Sequence, residues 1–258
     1  MGLAPSIGGP AKTRAAMLRR GGEDVTVAGV SLDRASEVEK FDHYAPTYRE
    51  AHRASVRLSG EGPEYFAEHK LGCLLRAGVS SAHSVLDYGC GTGSLTRLLC
   101  GHFAFVGAFD PSAESAKLAR EHAPGATVYD DEAAIPGERF EAAVLSGVLH
   151  HVPPPERFKL VESVAAKLKP GGRLFVFEHN PYNPLTRRAV RLCPFDDDAI
   201  LLPPREVRAL LGASLASVRQ DYVLFFPRPL APLRPLEPWL GWFPLGAQTL
   251  TVGVRAGG

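Results

Sequence analysis

The stretch Leu86–Leu99, LDYGCGTGSLTRLL, sets a short apolar run, an acid, three glycines and an amphipathic segment in direct succession. Gly89, Gly91 and Gly93 alternate there with Cys90 and Thr92. An apolar run broken by glycines and resumed at helical spacing reads as a strand feeding a helix through a tight loop. Glycines permit positive φ and remove the Cβ that would hold a ligand away from the peptide groups. The helix that follows turns unpaired N–H groups toward the same place, which suits a carboxylate or a phosphate.

The register of the loop discriminates between ligands. A dinucleotide fingerprint needs G-x-G-x-x-G, and counting from Gly89 puts Ser94 where the third glycine belongs. Asp87, at the head of the loop, repels a pyrophosphate and attracts an ammonium group. A ligand with an amine and a carboxylate joined to a nucleoside therefore fits better than NAD. An NAD-dependent oxidoreductase is disfavoured on this count.

Outward from the loop, strands and helices alternate. HSVLDYG, FAFVGAFD, ATVYD, FEAAVLSG and RLFVFEH read as five apolar strands. SLTRLLC, PSAESAKLAREH and PPERFKLVESVAAKLKPGG read as the intervening helices, the last closed by Pro170-Gly171-Gly172. Such alternation means βαβ units and a parallel sheet covered on both faces. Past the fifth strand come a helix, REVRALLG, and two more strands, LASVRQDYVLFF and AQTLTVGVR. The expected organisation is a flexible extension over residues 1–34 and one domain over 35–258. Residues 35–80 form a helical cover, and residues 180–246 a wall for the second substrate.

Asp110 ends the second strand, where a carboxylate can accept both hydroxyls of a ribose. Asp130 and Asp131 end the third, where an oxygen can accept from an adenine amino group. Bulk composition is that of an ordinary globular chain, with 45% hydrophobic and 22% charged residues and a net charge of +1. No basic field points to nucleic acid. Cys73, Cys90, Cys100 and Cys193 form no CxxC pair, so neither zinc nor redox chemistry is indicated and no metal is expected. No apolar run approaches the roughly eighteen residues of a membrane span, and residues 1–25 do not read as a secretory signal. A cytoplasmic location is expected. A peripheral membrane association or a lipid-linked substrate stays open.

VLDYGCGTG resembles the first motif of the class I S-adenosylmethionine-dependent methyltransferases, and FDPSAESAKLAR is similar to the segment around their ribose-binding acid. YDDEAAIP, RFEAAVLSGVLHHVP and LVESVAAKLKPGGRLFVFE resemble the motifs that follow, so the likeness covers about Phe41 to Glu178. It implies a doubly wound, Rossmann-like α/β fold with seven strands in the order 3-2-1-4-5-7-6, the last antiparallel, and S-adenosylmethionine as cofactor. It implies cofactor contacts at Tyr44, Tyr48, Asp87, Gly89, Cys90, Gly91, Gly93, Asp110, Pro111, Asp130, Asp131 and Ser146. The short PGERF spacing departs slightly from the family pattern.

Methyl transfer to an alcohol or phenol benefits from a base, and histidine is the usual one. His150 and His151 follow the fourth strand; Glu178 and His179 end the fifth. A His150–Glu178 pair is the preferred catalytic arrangement, with His151 and His179 as rivals. Asp196–Asp198 reads as a solvated turn. PRPLAPLRPLEPWLGWFPLG reads equally as a lid over an apolar or lipid-linked substrate and as surface packing. The expected function is transfer of a methyl group to a small organic acceptor, with oxygen slightly favoured. A non-catalytic cofactor-binding protein on the same fold is the alternative.

Overall fold

A computed structural model describes residues 34–257. The expectation of a flexible extension falls, save for Arg34, outside the described residues. The strands are β1 (Ser84–Tyr88), β2 (Phe105–Phe109), β3 (Thr127–Tyr129), β4 (Phe140–Ser146), β5 (Leu168–His179), β6 (Ala216–Val223) and β7 (Gln248–Val254). The helices are α1 (Arg34–Tyr44), α2 (Tyr48–Val56), α3 (Pro63–Arg76), α4 (Ser94–Cys100), α5 (Ala113–His122), α6 (Arg157–Lys167), α7 (Pro184–Leu192) and α8 (Pro204–Ser214).

The seven strands form one sheet in the order β3-β2-β1-β4-β5-β7-β6. β1 pairs in parallel with β2 and β4, β2 with β3, and β4 with β5; β7 runs antiparallel to both β5 and β6. The chain winds outward from β1 through β2 and β3, then returns to its other side at β4. Loops after β1 and β4 therefore diverge, and a crevice opens above their carboxyl ends.

Side-chain alternation divides the sheet's residues between two cores. Leu86, Ala143, Leu145, Leu174 and Val176 pack with Leu160, Val161 and Val164 of α6 and Val207 and Leu211 of α8. Val85, Ala142, Val144, Phe175 and Phe177 pack with Leu71 and Leu74 of α3 and Leu95 and Leu99 of α4. Strands buried on both faces have to be apolar throughout, which is why β1 is buried at every position.

Three local features differ from the sequence reading. Pro170-Gly171-Gly172 does not close α6; it lies inside β5, whose pairing with β4 shifts register between Phe140 and Ala142. Gly172 is required there, because a Cβ would come within 2.8 Å of the Lys169 carbonyl and 3.0 Å of the Phe140 carbonyl. Residues 184–192 form a helix, with Pro184 in its first turn and Asn183 as its cap, accepting from the Leu185 and Thr186 N–H groups. The proline-rich insertion folds into 3₁₀ turns over Arg228–Trp239, kinked at Leu230.

Phe140 is fully buried at the foot of β4, 6.1 Å from the Phe105 ring. Phe140→Ala is expected to cost about 3–5 kcal/mol, read as a lower urea midpoint at unchanged slope.

Candidate active site

The crevice above β1 and β4 is roofed by the helical cover, so that one cavity is lined from below by Gly89, Gly91, Asp110 and Ser146 and from above by Phe41, Tyr48 and His52. Gly91 has φ +52, and a Cβ added to it would meet nothing within 4 Å. Gly89 and Gly93 are needed for close approach instead: a Cβ would press Val148 at 2.5 Å and Ala119 at 2.9 Å respectively. Gly91 is thus the point where bare main chain faces open cavity.

Asp110 is organised by that loop. Gly91 N–H donates to its Oδ2 at 2.7 Å and Ser112 N–H to its Oδ1 at 3.0 Å. Burial pushes its carboxyl up to about 6, against those two backbone bonds. Each oxygen keeps a free lone pair, enough to accept from a vicinal diol. Pro111 and Ser115 continue the wall. A bare glycine loop beside such a carboxylate fits an adenosyl amino acid.

Other expected cofactor contacts are not part of this cavity's lining. Asp87 is 1% exposed beneath the loop and accepts from Thr96 Oγ1 at 2.7 Å. Burial raises its carboxyl to about 6; it secures the start of α4 and does not line the cavity. Cys90 packs into the core against Ala108 and Ala119. Gly93 contacts Ala119 of α5 rather than the cavity. Asp130 and Asp131 are exposed at the edge strand: Asp130 pairs with Arg120, and Asp131 accepts from Ala133 N–H and caps a 3₁₀ turn. Neither reaches the cavity, because β3 is short and ends at the sheet margin. Tyr44 also lies outside, edge-on to Phe195, whereas Tyr48 lines the cavity and stacks on Phe195 at 4.6 Å.

The charged side of the cavity is built around Glu178, which is 1% exposed. Its Oε1 accepts from the N–H groups of Leu149 (2.8 Å) and Val148 (3.2 Å), and its Oε2 lies 2.6 Å from His150 Nδ1. Asp196, expected in a solvated turn, is 7% exposed, with Oδ1 at 3.2 Å from His151 Nε2 and 3.8 Å from His150 Nε2. Burial alone would lower the His150 imidazolium, but Glu178 and Asp196 outweigh it and lift its pKa to about 10. Asp196 is held well below the carboxylate range: burial opposes this, and the His150 and His151 contacts overcome it.

His150 is therefore an imidazolium clamped between two carboxylates, and a base must begin unprotonated. His179, which faces the same cavity, is lowered to about 4 by burial and by the neighbouring His150 charge, so it is neutral. His52 is lowered to about 4 by burial and Lys70.

Lys70 was not among the expected site residues. It lines the cavity where that adjoins a second, largely apolar chamber, which also takes in His52, His179, Phe225, Phe226 and Leu224. Burial lowers its ammonium to about 8, with Asp87, Cys73 and Glu178 holding it up. Its signal in the sequence is a lysine on the apolar stripe of α3, between Ala67 and Leu74. Two sets could be considered for a cation: His150, His151 and Asp196, and Glu37, His151 and Asp198. The first already carries an imidazolium, and the second an ammonium, since Lys40 pairs with both Glu37 and Asp198.

Residues 43–214 match the family model described as a methyltransferase domain. Ubiquinone biosynthesis O-methyltransferases of Xylella fastidiosa (strain M23) and Bordetella pertussis are 32% and 33% identical over 154 and 156 residues. Those alignments cover 55% and 57% of this chain, but only 58% and 61% of the relatives' own length. An S-adenosylmethionine-dependent methyltransferase from Thermotoga maritima superposes with a TM-score of 0.62 at 19% identity, covering 84% of this chain and 99% of that one. Magnesium protoporphyrin IX methyltransferase from Synechocystis, with bound S-adenosylhomocysteine, gives 0.56 at 18% identity, covering 85% and 99%. These two likenesses are of fold.

The His150 clamp has a pH signature. A group whose folded pKa is raised contributes stability that is complete below its ordinary value, near 6.5, and lost as pH climbs through about 10. His150→Gln is expected to lower Tm most near neutral pH and progressively less as pH approaches 10; a constant gap would exclude the clamp. With the loop register, the strand order and the family match in agreement, the chain belongs to the class I S-adenosylmethionine-dependent methyltransferases.

Proposed function

We propose that this chain transfers the methyl group of S-adenosylmethionine to an oxygen of a small organic acceptor with an apolar tail. The observation that carries the reading is a pair of adjoining pockets, the Gly91–Asp110 cradle and an apolar chamber, whose walls share His52, Lys70 and His179. The relatives named as O-methyltransferases support oxygen as the accepting atom.

S-adenosylmethionine supplies the activated methyl on its sulfonium sulfur. In this reading Asp110 accepts the ribose hydroxyls, and the Gly91 main chain lets the amino acid end lie close. The Tyr48–Phe195 stack forms the aromatic wall above them. The acceptor hydroxyl sits where the two pockets adjoin. Bound there, S-adenosylmethionine would give its methyl to that oxygen and leave as the neutral thioether, and neutral His179 would take the hydroxyl proton. An imidazole of such low basicity needs help, and the Lys70 ammonium provides it by stabilising the negative charge developing on oxygen. Alignment of oxygen, methyl and sulfur within about 3 Å before attack supplies the rest of the acceleration.

Calorimetry with S-adenosylhomocysteine is expected to show binding by the wild type. Binding should fall at least about tenfold in Gly91→Val, whose side chain would project into the cradle from a strained φ. No heat with the wild type ends the reading. Labelled S-adenosylmethionine incubated with cell extract should yield a labelled, organic-soluble product identifiable by mass spectrometry. On that product, His179→Ala is expected to lower kcat by about 10²-fold or more. Wild-type activity should be level around neutral pH and fall as pH rises through about 8, where Lys70 loses its proton. Lys70→Met should remove that alkaline limb. Activity that instead climbs toward pH 10 would return the base role to His150.

A further inference from the structure

The proline-rich segment turns Arg234 and Glu237 toward the protein and leaves its large apolar groups outward. Glu237 accepts from the N–H groups of Phe225 and Phe226 at 3.0 and 3.1 Å. Arg234 donates to the Phe226 carbonyl at 3.2 Å and to Glu61 at 2.6 Å. Leu233, Leu236 and Trp239 recur every third residue, the repeat of a 3₁₀ turn, and so share one outer face. Trp239 and Trp242 are 71% and 76% exposed, among the most exposed large apolar side chains described. Pro232, Pro235 and Pro238 fix φ between them, so the ridge is held in shape without packing beneath it.

The ridge continues onto α7. Asn183 donates to the Leu245 carbonyl at 2.7 Å and Thr186 to the Ala247 carbonyl at 2.9 Å, stitching that helix to the end of the insertion. α7 exposes Leu185 and Leu192 together with Arg187, Arg188 and Arg191. Among the described residues, none of these three arginines has an ion-pair partner. The apolar chamber is walled by α7, through Leu185 and Thr186, and by residues 224–227, the segment that leads from β6 into the insertion.

We propose that this face docks on an anionic lipid bilayer. Tryptophans of this exposure prefer the interfacial zone, where a ring is half in headgroups and half in hydrocarbon. Arginines without an ion-pair partner on α7, the helix stitched to the end of the insertion, favour a negatively charged leaflet. Docking would set the wall of the apolar chamber against the bilayer, giving a lipid-soluble acceptor a route that avoids water. The inference stands on the surface residues, independently of the reaction proposed above.

The two tryptophans in the whole sequence both lie on this face, so intrinsic tryptophan fluorescence of the full chain reports on it alone. The probes are vesicles of phosphatidylcholine, with and without about one quarter phosphatidylglycerol. The expected result is a blue shift and co-sedimentation with the anionic vesicles, weakened by salt. Arg187→Gln/Arg188→Gln/Arg191→Gln should weaken partitioning at least about tenfold, and Trp239→Ala/Trp242→Ala should abolish sedimentation while both variants keep the wild-type far-ultraviolet dichroism. Emission unmoved by either vesicle overturns the proposal, as does equal partitioning to neutral and anionic vesicles. So does a dimer in sedimentation velocity that the tryptophan variant dissolves, which would give the face to a second copy of the chain. The assay needs neither cofactor nor acceptor, so its failure is distinct from failure of the methyl-transfer reading.

Discussion

A run of buried charge ties the floor of the cavity to its roof. Glu178, at the end of β5, holds two N–H groups of the loop after β4 and faces His150. His150 faces Asp196, Asp196 contacts His151, and His151 lies 3.2 Å from Glu37 of α1. Lys40 then pairs Glu37 with Asp198. Elements far apart in sequence are joined by a chain of mostly buried polar and charged contacts. Buried ion pairs of this kind add little net stability over apolar packing, but removing one member strands the others, so the arrangement is strongly specified. What it specifies is the height and angle of the helical cover above the glycine loop.

The same charges sort the histidines into different chemical states. His150, between two carboxylates, keeps its proton; His179 and His52, beside an imidazolium and an ammonium respectively, are neutral. Imidazoles of one intrinsic basicity are thus divided, within one cavity, by which charges they face. Where the cradle adjoins the apolar chamber, two neutral imidazoles and a weakened ammonium line both.

Apolar surface is handled unequally across the molecule. Both faces of the sheet bury theirs in dense clusters, whereas the 228–245 insertion and α7 leave leucines and tryptophans in water. Exposed apolar side chains gathered on one face signal a surface made to meet something. Its position beside the apolar chamber connects the outer surface of the protein to the site.

By itself, the sequence determined the sheet, the glycine loop and the carboxylate beside it. Those features are written locally: apolar runs of strand length, glycines where main chain must lie bare, an acid at a strand end. That Cys90 packs into the core and that Asp130 and Asp131 stand exposed at the sheet margin was not legible, because residue spacing does not say whether a side chain near a strand end turns inward or outward. Only the tertiary structure decided that Asp196 is buried, that Lys70 stands where the two pockets adjoin, and that His150 sits between two carboxylates. Protonation state depends on every charge within a few ångströms, and those charges come from α1, β5 and the segment after α7. No local pattern carries that information, because it arises only when distant parts of the chain are brought together away from water.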